Sequence, residues 1–426
     1  MDWNLALIGV LISTIALLLV LLFSMRRRHA ERFLPLTYSR KQPKVPYFIR
    51  SVDQSIPFHP KLCQLEFQSQ AWKDAMANIG QRLNDNGVSH IYFVHGTFAG
   101  DDPFGAIPAM QRIFPKMKPT VATAIQLRLK RSFDLLSRDT GNYLLDYVRL
   151  FQEASSSQAK CQLFVWSSGN HHAARLKGAI SLLRRLHHDL PDIPPKRVLL
   201  WGHSHAGQVF ALLSHMIHES PLGDELWQLA IEHQWLEASE RKTFRRLKKF
   251  RFDLVTFGCP LRYPWRLSNK FRLVNVTNHR GNGHLATNPF GFWRTQGGDY
   301  IQQWGSYGSD YLASSLSERQ ANRRLDKLLG LGIDPRGWLE CIAKGVRVSD
   351  YGTSFLVDYQ DYSSLAPNGL MTIFGHGVYT KFKHMLFHAQ LTCDALYPME
   401  AMNLGHLHEG CGRVISAEEK FCSKNS

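Results

Sequence analysis

Residues 197–207 of this 426-residue chain read RVLLWGHSHAG. A Val- and Leu-rich run without helical spacing, Val198 to Trp201, stops at Gly202. Beyond it, Val209, Leu212, Leu213 and Met216 recur at helical spacing within Gln208 to Ile217. The expected unit is strand, sharp turn, helix. Gly202, Ser204 and Ala206, followed by Gly207, fit the G-x-S-x-small pattern of a nucleophile elbow. In such a turn the serine takes a strained conformation, and neighbours without bulk let its hydroxyl stand free at the sheet edge. Ser204 is the candidate nucleophile. A serine hydroxyl attacks poorly at neutral pH, so the chemistry also demands a base to take its proton and a group to orient that base.

For the base, His376 stands between two glycines in IFGHGVYTKF, directly after the apolar run Met371 to Phe374, and is expected on a loop at a strand end. His384 and His388 lie four apart and share a helix face with apolar neighbours, a packing pattern. HMLFH also lacks the Glu of a zinc motif, and His406 and His408 belong to a polar tail. For the acid, the stretch Thr277 to Gln296 contains no Asp or Glu, and the first carboxylate after it is Asp299, in the glycine-flanked GGDYIQQWG. Asp310, Asp350, Asp358 and Asp361 remain competitors. Asp253 begins its strand, the wrong end of a parallel sheet for catalysis, and is expected to be structural.

An earlier buried-strand run, Ile91 to Val94, ends in His95-Gly96-Thr97. A turn there can present backbone amides to a developing oxyanion. The expected donors are the amide of His205, next to the nucleophile, and that of Thr97 or Phe98.

Taken together, VHGTFAG, LLWGHSHAG, LVTFGCPL and FGHGVY, in that order, resemble the α/β-hydrolase superfamily and its esterase and lipase branch. The resemblance spans roughly residues 89–390. It implies a Ser-Asp-His triad in the order Ser204, Asp299, His376, acting on carboxylic esters or related acyl groups without a cofactor. Two departures stand out: Ala206 replaces the usual glycine of the elbow, and Asp299 comes later than the family's acid.

The elements that must position these groups alternate. Strands are expected at Ile91–Val94, Cys161–Trp166, Val198–Trp201, Phe252–Pro260 and Phe271–Val276, with a helix from about His172 to Leu186. That alternation predicts an α/β fold, a mainly parallel hydrolase-type sheet with helices on both faces. The domain is expected over residues 61–400, with helical insertions at about 104–157 and 223–250 and a polar tail at 401–426. The first insertion is expected to pack on the sheet. The second ends in cations (Arg241, Lys242, Arg245, Arg246, Lys248, Lys249) that suit either a solvated face or anionic lipid headgroups. His171-His172 and His187-His188 lack acidic or cysteine partners at ligand spacing, which predicts solvated surface histidines and no metal site.

Leu5 to Phe23 is nearly unbroken apolar sequence of bilayer-spanning length, so residues 1–25 are expected to form a transmembrane anchor and 26–60, basic and proline-punctuated, a linker. Arg26, Arg27, Arg28, Arg32, Arg40, Lys41 and Lys44 follow the run, which places the C-terminal side in the cytoplasm. Seven scattered cysteines without CxxC spacing suit a reducing compartment. The net charge of +16 suggests attraction to an anionic membrane surface. Nucleic acid is not the expected partner, for zinc-finger spacing, helix-turn-helix signals and RNA-binding aromatic motifs are all missing. The expectation is a membrane-anchored serine hydrolase acting on an ester or lipid-like substrate. The alternative is a hydrolase fold without turnover, serving as a scaffold at the membrane.

Overall fold

The computed structural model of the chain describes residues 48–51, 65–97, 100, 118–191, 197–279, 295, 297–307, 310, 312–313, 315–329, 349, 351–359 and 372–398. The apolar run 5–23, most of the linker and the tail 401–426 lie outside them. Among the described residues no helix is long and apolar enough to cross a membrane.

Seven strands form one sheet: β1 (Phe48–Ser51), β2 (Val88–Val94), β3 (Lys160–Phe164), β4 (Arg197–His203), β5 (Arg251–Phe257), β6 (Phe271–Asn278) and β7 (Thr353–Asp358), in the order β1-β7-β6-β5-β4-β2-β3. Strands β2 to β7 run parallel, and β1 closes one edge antiparallel to β7. The described helices are α1 (Gln70–Asp85), α2 (Pro119–Ser137), α3 (Leu145–Ser155), α4 (His172–Asp189), α5 (Ala206–His218), α6 (Pro221–Glu232), α7 (Ala238–Phe244), α8 (Tyr300–Tyr307), α9 (Leu316–Leu329) and α10 (Met385–Leu396).

Side chains alternate across a strand, and the core follows that period. Tyr92, Val198, Leu200, Phe252 and Leu254 join α4, α5, α6 and α9 on one face. Ile91, Phe93, Leu199, Trp201, Val255 and Phe257 join α1, α3 and α10 on the other. Parallel strands covered on both faces read as continuous apolar runs, which is why LLW and LVTF carry no polar alternation. Removing one such side chain, as in Leu199→Ala, costs about 2–5 kcal/mol.

Two strands, β1 and β7, escape the sequence pattern. β1 lies in the stretch expected to be linker: prolines at 43, 46 and 57 mask it, and only pairing with β7 (Ile49 opposite Val357) makes Phe48–Ser51 a strand. The run before His376 is the reverse case, expected to be a strand. Residues 372–380 instead form successive turns, with Ile373 and Phe374 at φ 52° and 53°. The edge of β6 that such a strand would need is already paired with β7. Local acceptors satisfy the turns, since the Gly377 amide donates to Thr372 O (2.7 Å) and the His376 amide to Ile373 O (3.0 Å).

The described parts of the insertions are largely helical. In the first, α3 packs as expected, with Tyr147 and Phe151 edge-on to Phe93. In the second, most cations are engaged within the chain: Arg245 and Lys248 pair with Glu219, Arg241 with Asp224, and Arg246 donates to Leu190 O at 2.9 Å. At the far end of the sheet Asp253 is structural, as expected. It accepts from Arg197 Nη1 (3.0 Å), Arg272 Nε (2.8 Å) and Tyr397 Oη (2.8 Å), tying together the starts of β4, β5 and β6.

Candidate active site

The register of the central strands brings the sequence motifs to one end of the sheet. Val94 pairs with Gly202 and His203 with Phe257, so the turn after β2, Ser204 after β4 and Gly258 after β5 are neighbours. Ser204 has φ 57°, the left-handed conformation expected of an elbow, and its amide donates to Phe257 O at 2.8 Å. The small residues around it are required by packing. A Cβ on Gly202 would lie 2.5 Å from the Phe210 ring and 3.0 Å from Ala206 Cβ, and one on Gly207 would lie 2.2 Å from Cys259 Sγ. Ala206 at the start of α5 thus does the work of the usual glycine.

Asp299 reaches the same end of the sheet in spite of its late position. Its amide donates to Asn278 O, the last residue of β6, at 2.9 Å, so the chain leaves the strand after His279 and returns to it. The fully buried carboxylate accepts three hydrogen bonds: His376 Nδ1 and Tyr379 Oη donate to Oδ2, each at 2.8 Å, and the Gln302 amide to Oδ1 at 2.8 Å. Tyr379 Oη in turn accepts from the Asn278 amide at 2.7 Å. The structure thus brings together the two residues that the sequence reading paired, Asp299 and His376.

The other acids are placed differently. Asp310 is clamped by Arg175 (2.6 Å) and Arg262. Burial alone would raise its carboxyl, but Arg175, His172 and Arg262 outweigh that and hold it below the usual carboxylate range. Asp358 ends β7, opposite Phe48 of the edge strand, and Asp350 and Asp361 lie outside the described residues.

With Nδ1 donating to Asp299, His376 keeps Nε2 as the nitrogen that can take a proton. That atom is buried and makes no hydrogen bond, while Ser204 Oγ lies 3.4 Å from His205 Nδ1. The Ser204–His376 hydrogen bond is therefore the one link of the triad that the structure does not make. His203 fixes the base from the other side: its Nε2 donates to His376 O at 3.0 Å, with ring centroids 4.5 Å apart.

The turn after β2 presses against the elbow. A Cβ on Gly96 would lie 2.4 Å from Ser204 Cβ and 3.1 Å from its Oγ, so only glycine allows this approach. Beside it, Thr97 Oγ1 shares a 2.7 Å hydrogen bond with His205 Nδ1. His205 is the N-cap residue of α5; the amides of Gly207, Gln208 and Val209 are engaged by Ser204 O and His205 O, which leaves those of His205 and Ala206 at the helix start to face the serine end of the sheet. Phe98 lies outside the described residues.

The imidazoles around the serine are buried and neutral. Burial pushes His95 down to about 3, and it takes His203 far below 6.5, with the neighbouring His376 adding to the effect. His205 is lowered by burial and then by the charge of Arg175. The Cys259 thiol is pushed up to about 12 by burial, which leaves it inert beside Gly207.

The expectation of solvated histidines at 171 and 172 is overturned, since both are buried at the start of α4. His171 Nδ1 accepts from the Ala174 amide as a helix cap (3.2 Å), while His172 contacts Tyr263 Oη and lies 2.8 Å from Asp326 and 3.1 Å from Asp310. Sequence spacing hid these acids, which are more than a hundred residues away. Of the other pair, His188 is exposed. His384 and His388 pack as expected, with His388 Nε2 2.7 Å from Tyr359 Oη. Among the described residues no group of His, Cys, Asp and Glu could hold a metal ion.

Two residues of the site, His203 and Tyr379, were missed from sequence, and the turn glycine Gly96 was read without its contact with Ser204. The signals were faint, a histidine just before the serine and a tyrosine three residues after His376. Comparisons with protein-family models, with curated proteins and with solved structures return no match.

Proposed function

We propose that the protein is a serine hydrolase of the α/β-hydrolase type, cleaving carboxylic esters or thioesters through an acyl-enzyme. The observation that carries this reading is the meeting, at the C-terminal ends of β4 to β6, of a left-handed Ser204 with the Asp299–His376 pair. In the first step Ser204 Oγ bonds to the acyl carbon as its proton passes to His376 Nε2. The same proton then goes to the leaving alcohol or thiol as that bond breaks, and water repeats the sequence to release the acid. Asp299 holds the imidazole and stabilises its cationic form, while the amides of His205 and of Thr97 or Phe98 bind the oxyanion, an effect of ~3 kcal/mol per donor.

The apolar run Leu5–Phe23 would tether this domain to a membrane, with the catalytic body on the cytoplasmic side, and lipid esters are then the substrates at hand. Lys242 and Lys249, exposed cations of the second insertion, would face its headgroups. A second reading, a hydrolase fold without turnover acting as a scaffold, draws on the unmade Ser204–His376 bond and on the 3% exposure of Ser204.

Labelling with a fluorophosphonate probe decides between them. The wild type should be labelled and Ser204→Ala should not; a folded wild type that resists the probe would overturn the enzyme reading.

A further inference from the structure

The two described residues whose amides must converge on an oxyanion, Thr97 and His205, are also joined side chain to side chain by their 2.7 Å hydrogen bond. They stand 108 positions apart, each three residues past the last rung that β2 and β4 share, Val94 with Gly202. Beyond that rung no ladder bond between β2 and β4 sets the distance between the two turns. Contact at Gly96 limits how closely they approach, but contact alone leaves them free to part. The His205 ring is buried and its Nε2 makes no hydrogen bond, so Nδ1 is the atom through which the ring is held. Ser204 Oγ lies 3.4 Å from the same Nδ1, so the bond sits directly beside the nucleophile.

We propose that the Thr97–His205 side-chain hydrogen bond is a positioning latch that sets the separation of the two oxyanion amides. The inference rests on the hydrolase reading. Both side chains act through their own backbone amides and are positioning residues. An oxyanion forms only on the way to the tetrahedral intermediate, so the latch should govern kcat and leave substrate affinity alone.

The test uses the full-length chain in detergent with p-nitrophenyl butyrate. Thr97→Val keeps the volume and removes the bond; it should lower kcat by ~10- to 100-fold, the range expected for a donor misplaced by up to an ångström, with KM within about twofold. Thr97→Ser restores the hydroxyl and should restore most of kcat. His205→Phe removes the other half of the bond and should show the same split, and the double variant should fall no further than the worse single one. His205→Phe stands in if Thr97→Val does not fold. The latch is overturned by unchanged kcat, by a loss that appears in KM, by failure of Thr97→Ser to rescue, or by additive losses. A wild type that labels and turns over while these variants behave as wild type sinks the latch alone. A wild type that does neither overturns the hydrolase reading and the latch together.

Discussion

Five of the buried histidines, His95, His203, His205, His384 and His388, line the active-site end or pack beside it, and burial is the first cause that depresses each of them. In the unfolded chain each would titrate near 6.5. Because their folded values are lower, the unfolded state binds more protons below that pH, and stability is lost as the pH falls from about 6.5 towards 3. Near pH 5.5 a ring held near 3 binds roughly 0.9 more proton unfolded than folded, and each proton contributes about 1.4 kcal/mol per pH unit. His95 and His388, pushed down to about 3, then give a slope of about 2.5 kcal/mol per pH unit, and His203, His205 and His384 add to it in the same direction, against a typical total stability of about 5–15 kcal/mol. Most carboxylates titrate below this window, so between pH 7 and 5 the histidines dominate. Urea unfolding of Ser204→Ala followed by tryptophan fluorescence at pH 7, 6 and 5.5 measures the effect without interference from turnover. The midpoint should fall steadily from pH 7 to pH 5.5. A midpoint that stays flat across this range would refute the neutral, buried assignment of these rings.

Other expectations concern the site itself. Asp299→Asn should lower kcat with p-nitrophenyl butyrate by ~10⁴-fold, while Tyr379→Phe, which removes one of the three donors to that carboxylate, should cost about tenfold. A near-normal Asp299→Asn enzyme would show that another acid serves His376. Gly96→Ala sets a methyl within 2.4 Å of Ser204 Cβ, so fluorophosphonate labelling should be lost; rapid labelling of a folded variant would show that the turn after β2 can withdraw from the elbow.

The local units of this protein are legible in its residues. Apolar runs without periodicity marked β2, β4, β5 and β6, because strands buried on both faces need no polar alternation. Ser204 could be found as well, since the demands of its turn fall on residues within three positions of it. What depends on distant partners was not legible. β1 exists because β7 offers an edge, and the turns of 372–380 because β7 has taken the one they would need. His171 and His172 are buried because acids and a tyrosine from far along the chain reach them. Asp299 shows the division best: its residue type and loop were readable, but its place beside His376 rests on the chain returning to the end of β6, through the Asp299 amide and the His279–Gly298 bridge. Spacing along a chain reports local geometry, and a catalytic acid is defined by where the chain comes back, which only tertiary packing decides.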